Sequence, residues 1–170
     1  MVAMGMKPSI NIVYSINDIE VINSITEAIK EVYGFDVSTE YNNLNINFAY
    51  NSLRKQYDAL KILFNYRYPS NKNVLTLLVV SGDIYVSPLN FCFGLAIDKI
   101  AIISTFRLQT TNRELFLLRC KKEAIHEIGH MLGLSHCKNS YCVMFFSNSI
   151  LDTDRKDYKI CNSCRSRLKI

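Results

Sequence analysis

Glycine and proline are scarce in this 170-residue chain, at six and three residues, which excludes collagen-like and low-complexity disordered architectures. No apolar run approaches the length of a membrane-spanning helix, and Met1 to Pro8 holds no apolar core of signal-peptide length. A cytoplasmic location and no membrane partner are therefore expected. Internal repeats and linkers are also missing, so the chain reads as one domain, 1–170. The formal net charge of +5 is too modest to indicate nucleic acid by itself. Histidine is scarce as well. There are three, and all fall between positions 126 and 136.

Hydrophobic residues make up 49% of the chain, enough to bury a real core at this length. Strand-like and helix-like segments alternate. Ser9–Ile16 reads as a first strand. Asn17 or Asp18 can cap a helix with Ile19, Ile22, Ile25, Ala28, Ile29 and Val32 on one face, ending near Gly34. A second strand is expected within Phe35–Tyr41. Asn51 or Ser52 is expected to open a second helix with Leu53, Tyr57, Leu60, Leu63 and Phe64 inward. After a polar break at 71–73, Val74–Val80 is a continuous apolar run, as in a central buried strand. Asn90–Ala96 and Ile100–Phe106 are further strand candidates around a turn at Asp98-Lys99. Thr111 and Glu114 have the spacing of a capping box, opening a long helix through residue 130.

That helix carries His126-Glu127-Ile128-Gly129-His130. Two imidazoles four residues apart leave one helix face together, as a tetrahedral zinc requires. Glu127, rotated about 100° from His126, stands beside such a metal without being a ligand. His136 lies six residues after His130, about 600° of helical rotation or roughly 240° off its face. The chain must therefore turn, and Gly133 sits where a helix ends in a left-handed residue. Three neutral nitrogens leave a fourth position open, which marks a catalytic type of zinc site.

Cysteine supplies a second cluster. Four residues separate Cys137 from Cys142 and two separate Cys161 from Cys164. Paired cysteines at such spacing close a structural thiolate zinc site. Two zinc ions per chain follow. Cys92 and Cys120 lie in apolar stretches and read as buried free thiols. Lys156, Lys159, Arg165, Arg167 and Lys169 surround the cysteines and read as a solvated basic surface.

Together, His126 to His136, then Cys137, Cys142, Met144 and the distal Cys161-Cys164 pair, resemble the archaemetzincin family of metzincin zinc metallopeptidases. Asn90–Ala96 and Ile103–Leu108 also look like family segments. The resemblance implies an α/β (α+β) fold: a mixed twisted sheet, an active-site helix, a Met-turn at Met144 and a C-terminal helix. The sheet-and-helix part would span 1–133 and a smaller part with the cysteine site 134–170. Phe146 stands where some metzincins carry a tyrosine that approaches zinc, and it offers no oxygen.

The expected activity is metal-assisted hydrolysis of peptide bonds in a peptide or protein substrate, with Glu127 as general base. Phe91–Ala96 could be an edge strand that pairs with an extended peptide. Gly94 then allows close backbone approach, or alternatively marks a bulge. A monomer that binds no nucleic acid is expected. Two other classes stay open: a catalytically silent zinc-stabilised module, and a nucleic-acid-binding protein using the cysteine site.

Overall fold

Alternation along the strands decides the layers. The computed structural model describes residues 8–66 and 73–169. β1 (Ser9–Tyr14) leads to α1 (Ile19–Tyr33) and β2 (Asp36–Tyr41), then to two short strands, β3 (Tyr50–Asn51) and β4 (Gln56–Asp58). Next come α2 (Ala59–Asn65), β5 (Val74–Val80), β6 (Ile84–Tyr85), β7 (Gly94–Ile97) and β8 (Ile100–Ser104). The long α3 (Arg113–Met131) and the short α4 (Ile150–Arg155) and α5 (Asn162–Arg165) complete the chain. Five strands form one sheet in the order β2-β1-β5-β8-β7, parallel except for β7, which runs antiparallel to β8 at one edge.

Successive side chains of a strand point to opposite faces. Ile10 and Ile12 of β1, Leu75, Leu77 and Val79 of β5, and Ala101 and Ile103 of β8 pack with α1 and α3 on one face. Val13, Leu78, Val80, Ile100 and Ile102 pack with Ala59, Ile62 and Leu63 of α2 on the other. Both faces of the central strands are thereby covered, which explains the continuous apolar run of β5. The result is a mixed α/β single domain. Val143, Met144, Ile160 and Cys164 share a core with α1 and α3, so the C-terminal segment is packed into the larger layer. Among the described residues, no helix is long and apolar enough to cross a membrane.

Helix α1 ends where its sequence indicates. The Asp18 carboxylate accepts from the Val21 amide at 3.4 Å, and Gly34 closes the helix at φ 67°, a left-handed conformation that glycine adopts without a Cβ clash. Ile19, however, is 52% exposed, and Val21 takes its place inward.

Three expectations need correction. No helix starts at Asn51 or Ser52. The Asn51 side-chain oxygen accepts from the amides of Leu53 and Arg54 at 3.1 and 3.2 Å, and Lys55 takes φ 56°. This local turn reverses the chain, so β4 pairs antiparallel with β3. Leu53 sits at the tip, 96% exposed, and Asp58 caps the shorter helix that follows. The cap of α3 is Asn112, whose oxygen accepts from the Leu115 amide at 3.0 Å, not Thr111. The strand expected over Asn90–Ala96 starts only at Gly94. The expected polar break at 71–73 lies outside the described residues except for Asn73, and the segment Met1–Pro8 except for Pro8.

The turn reading has a direct check in denaturant unfolding. Ile62→Ala, which empties a buried position, should destabilise by about 2–5 kcal/mol. Leu53→Ser should stay within about 0.5 kcal/mol. A comparable loss at Leu53 would restore the longer helix.

Candidate metal centres

One stripe of α3 lines a cleft. Glu123, His126, Glu127 and His130 recur at helical spacing and all border a cavity of about 520 Å3. Opposite them run Phe91–Ala96, with β7, and the segment Phe146–Asn148.

Backbone carbonyls set the histidine tautomers. His126 Nδ1 lies 2.7 Å from the Val143 carbonyl oxygen, and His130 Nδ1 lies 2.8 Å from that of Leu134. A carbonyl only accepts, so each Nδ1 carries the proton and each Nε2 presents a lone pair. Burial holds all three histidines below their ordinary pKa, His126 far below, so the neutral form is favoured. The Nε2 atoms of His126 and His136 lie 3.1 and 3.2 Å from that of His130. Converging lone pairs repel unless a cation lies among them. A tetrahedral zinc with bonds of ~2.0–2.1 Å holds its ligand atoms ~3.3–3.4 Å apart. The three nitrogens therefore fit zinc.

His136 reaches this point because α3 stops. Leu132 closes it, and Gly133 takes φ 89°, so the chain leaves the helix axis as its glycine indicates. The Phe146 ring lies against the His136 ring, centroids 4.9 Å apart. It adds no donor, and the side of the histidines toward the cleft stays open.

The cysteines form a second cluster. Sγ of Cys137 is 3.9 Å from Cys161, and Sγ of Cys142 is 3.8 Å from Cys164. Disulfide sulfurs lie near 2.05 Å. Four thiolates around zinc at ~2.3 Å come out ~3.8 Å apart, matching both distances. The backbone amide of Cys161 and the Arg167 guanidinium point at sulfurs, at 3.4 and 3.1 Å. The Cys164 backbone N–H, foremost among several contacts, lowers the Cys161 thiol to about 7.

The two clusters share a backbone. Val143, whose carbonyl orients His126, sits between Cys142 and Met144, and the Cys137 amide donates to the Met144 carbonyl at 2.9 Å. Met144 is fully buried beneath α3. A Cβ at Gly129 would collide with its sulfur and come within 3.2 Å of the Tyr33 hydroxyl. That hydroxyl donates to the Ile125 carbonyl at 2.8 Å. Gly129 was not singled out from the sequence, although its place inside the histidine pattern was visible.

Glu127 is 5% exposed. Burial, then the neighbouring Glu123 charge, raises its pKa well above the usual carboxylate range, and Lys156 opposes this. A Cβ at Gly94 would lie 2.7 Å from Glu127 Cγ and Oε1 and 2.9 Å from the Ile102 carbonyl. The pairing of Gly94 with Ile103 is in regular register, so Gly94 is no bulge. It makes room for Glu127.

Cys92 and Cys120 stand outside both clusters as free thiols. Cys120 is fully buried and Cys92 partly so, bordering the cleft, and burial pushes both up to about 12. The basic surface needs correction at one position. Lys156 has no exposed side-chain area, lying 3.5 Å from Glu123, whereas Lys159, Arg165, Arg167 and Lys169 are exposed, Arg165 also donating to the Val32 carbonyl at 3.3 Å. Lys159 pairs with Glu31 at 3.0 Å on the surface. Lys156 was missed because nothing local marks it, whereas Glu123 shares the helical stripe of His126 and Glu127.

Comparison with known proteins adds the relationships. The model of peptidase family M54 matches residues 12–170. An archaemetzincin of Methanocaldococcus jannaschii is 39% identical over 98% of this chain and 94% of its own. The crystal structure of archaemetzincin from Methanopyrus kandleri superimposes with a TM-score of 0.87 at 33% identity, covering 98% of this chain and 96% of that one. A zinc-dependent peptidase from Methanocorpusculum labreanum gives 0.82 at 27% identity over 93% and 98%.

Gly94→Ala tests the packing against Glu127. It should destabilise by about 1–3 kcal/mol and displace the Glu127 carboxylate or part the Gly94–Ile103 pairing, as seen in a crystal structure. Parent-like stability with Glu127 unmoved would refute the close approach.

Proposed function

This chain belongs to peptidase family M54, the archaemetzincins, and is a zinc metallopeptidase; from that premise we propose that it cleaves peptide bonds with Glu127 as general base at a zinc held by His126, His130 and His136. One observation carries the reading. Three imidazole nitrogens converge, those of His126 and His136 lying 3.1 and 3.2 Å from that of His130, at the wall of a cleft that also holds a buried carboxylate. A second zinc, held by Cys137, Cys142, Cys161 and Cys164, is structural.

His126, His130 and His136 would hold the zinc, which would supply Lewis acidity toward a carbonyl and toward water. Val143 and Leu134 fix which nitrogens face the metal, and their carbonyls raise the basicity of the rings. A Glu127 carboxylate oxygen takes a proton from the attacking water and returns it to the leaving nitrogen. The same carboxylate serves both halves of that transfer, as base toward the water and then as acid toward the leaving nitrogen. The outer edge of β7 binds the substrate as an extended strand. Gly94, at the start of that edge, keeps the backbone and Glu127 close to the same bond.

Glu127→Gln should keep both zinc ions and the fold while lowering peptide cleavage by ~10²–10⁴-fold, measured with a peptide library on zinc-replete protein. Turnover at the parent rate would remove Glu127 from the mechanism.

The shared backbone gives a second expectation. Cys161→Ser should weaken zinc binding at the histidines, because the Cys142–Met144 segment that orients His126 loses an anchor. His126→Ala should empty the histidine site and leave the thiolate zinc in place. Zinc titrations of parent and variants decide this. Equal histidine-site affinity in the parent and Cys161→Ser would show the two sites to be independent.

A further inference from the structure

Beyond the histidines the cleft continues one turn toward the start of α3, and its chemistry changes. Glu123 precedes His126 by three residues and Glu127 by four, which places its side chain about 5–6 Å along the same face. It is 3% exposed, and one oxygen accepts from the Thr153 hydroxyl at 3.2 Å. Facing it is the buried Lys156. Its Nζ lies 3.5 Å from Glu123 Oε1 and 3.3 Å from the Phe145 carbonyl. Both contacts are long beside the ~2.7–2.9 Å of a good charge-assisted bond. An ammonium has three donors, and among the described residues these two acceptors are the partners found for it. Two residues past Phe145, Ser147 Oγ is buried with no hydrogen-bond partner. Glu123, Lys156 and Ser147 all border the cleft. Buried polar groups are normally satisfied, so a loosely held ammonium and an unpartnered hydroxyl in one recess call for a polar ligand.

We propose that this recess is a side-chain subsite for a primary carboxamide, so that the peptides recognised carry glutamine or asparagine at the position it reads. A carboxamide offers a carbonyl acceptor and two N–H donors. Its oxygen accepts from Lys156 Nζ, its nitrogen donates to the Glu123 carboxylate, and Ser147 Oγ completes the set. A ligand carboxylate would suit Lys156 but meet Glu123, with Glu127 one turn away. A ligand ammonium would suit Glu123 but meet Lys156. An aliphatic side chain would leave buried polar groups without partners, which is costly. Because Glu123 and Lys156 oppose each other's charge, the recess favours a neutral dipole.

The substrate statement rests on the peptidase reading, but recognition can be measured without turnover. The probes are four peptide hydroxamates that anchor on zinc and differ in one neighbouring side chain: glutamine, glutamate, leucine or lysine. Calorimetry on the zinc-loaded protein should give the glutamine compound a Kd about tenfold or more below that of leucine. In Glu123→Gln, glutamate should overtake glutamine, because Lys156 then faces an unopposed carboxylate. Ser147→Ala removes a single oxygen and should narrow the gap between glutamine and leucine. Tightest binding of leucine to the parent, or an order unchanged in both variants, would overturn the subsite. A carboxamide preference in a protein that cuts no peptide keeps the subsite and removes the peptidase reading. Cleavage without side-chain preference at this position does the reverse.

Discussion

Two carbonyl oxygens fix the chemistry of the histidine cluster. If Val143 and Leu134 did not accept from Nδ1 of His126 and His130, either ring could place its proton on Nε2 and turn a lone pair into a donor. With the carbonyls at 2.7 and 2.8 Å, both rings present acceptors to one point, an arrangement that a cation relieves. The Leu134 carbonyl comes from the turn that α3 itself makes at Gly133. The Val143 carbonyl comes from farther along the chain, and its place depends on what holds residues 142–144. On one side the Cys137 amide bonds to the Met144 carbonyl, and on the other the Val143 amide bonds to the Lys159 carbonyl. The cysteine cluster thus stands behind the orientation of a histidine that none of its sulfurs touches.

The edge strand has an equally specific place. β7 is the one strand of the larger sheet that runs against its neighbour, and Gly94 at its start abuts Glu127 of α3. Any side chain there would contest the space of the carboxylate or the Ile102 carbonyl. A sheet edge must stay unpaired to receive an extended peptide, and an unpaired edge is ordinarily a hazard. Here the edge lies across the cleft from the polar stripe of α3.

Features that depend on neighbours in the chain were legible in the sequence. The histidine spacing, the turn at Gly133, the paired cysteines, the caps of α1 and the buried run of β5 each follow from local chemistry, and the structure has them where they were expected. The misreadings have separate causes. From residue 51 the apolar spacing imitates a helix, but a side-chain hydrogen bond from Asn51 closes a turn first, leaving Leu53 and Phe64 exposed. At residues 111–114 two capping signals overlap, and the asparagine prevails over the threonine. Lys156 could not be read at all. A lysine in a basic run is ordinarily solvated, and its burial is decided by Glu123, more than thirty positions earlier.

Helix α3 shows why periodicity alone would have described it poorly. Arg119, Lys122, Glu123, His126 and Glu127 are all buried on it, so polar residues occupy faces that a simple amphipathic helix would fill with leucine. Each such group must find a partner or destabilise the fold. Arg119 makes two 2.7 Å bonds to Asp154, Lys122 donates to the carbonyls of Thr153 and Asp154, and Glu123 receives Thr153 and Lys156. All of these partners belong to residues 153–156, and Val143 adds one for His126. The segment from 134 onward thus both buries these groups and pairs them, with only the Leu108 and Gln109 carbonyls reached by Arg119 coming from elsewhere among the bonds named for them. The chain that follows the histidines therefore supplies the partners for the buried polar face of the helix that carries them.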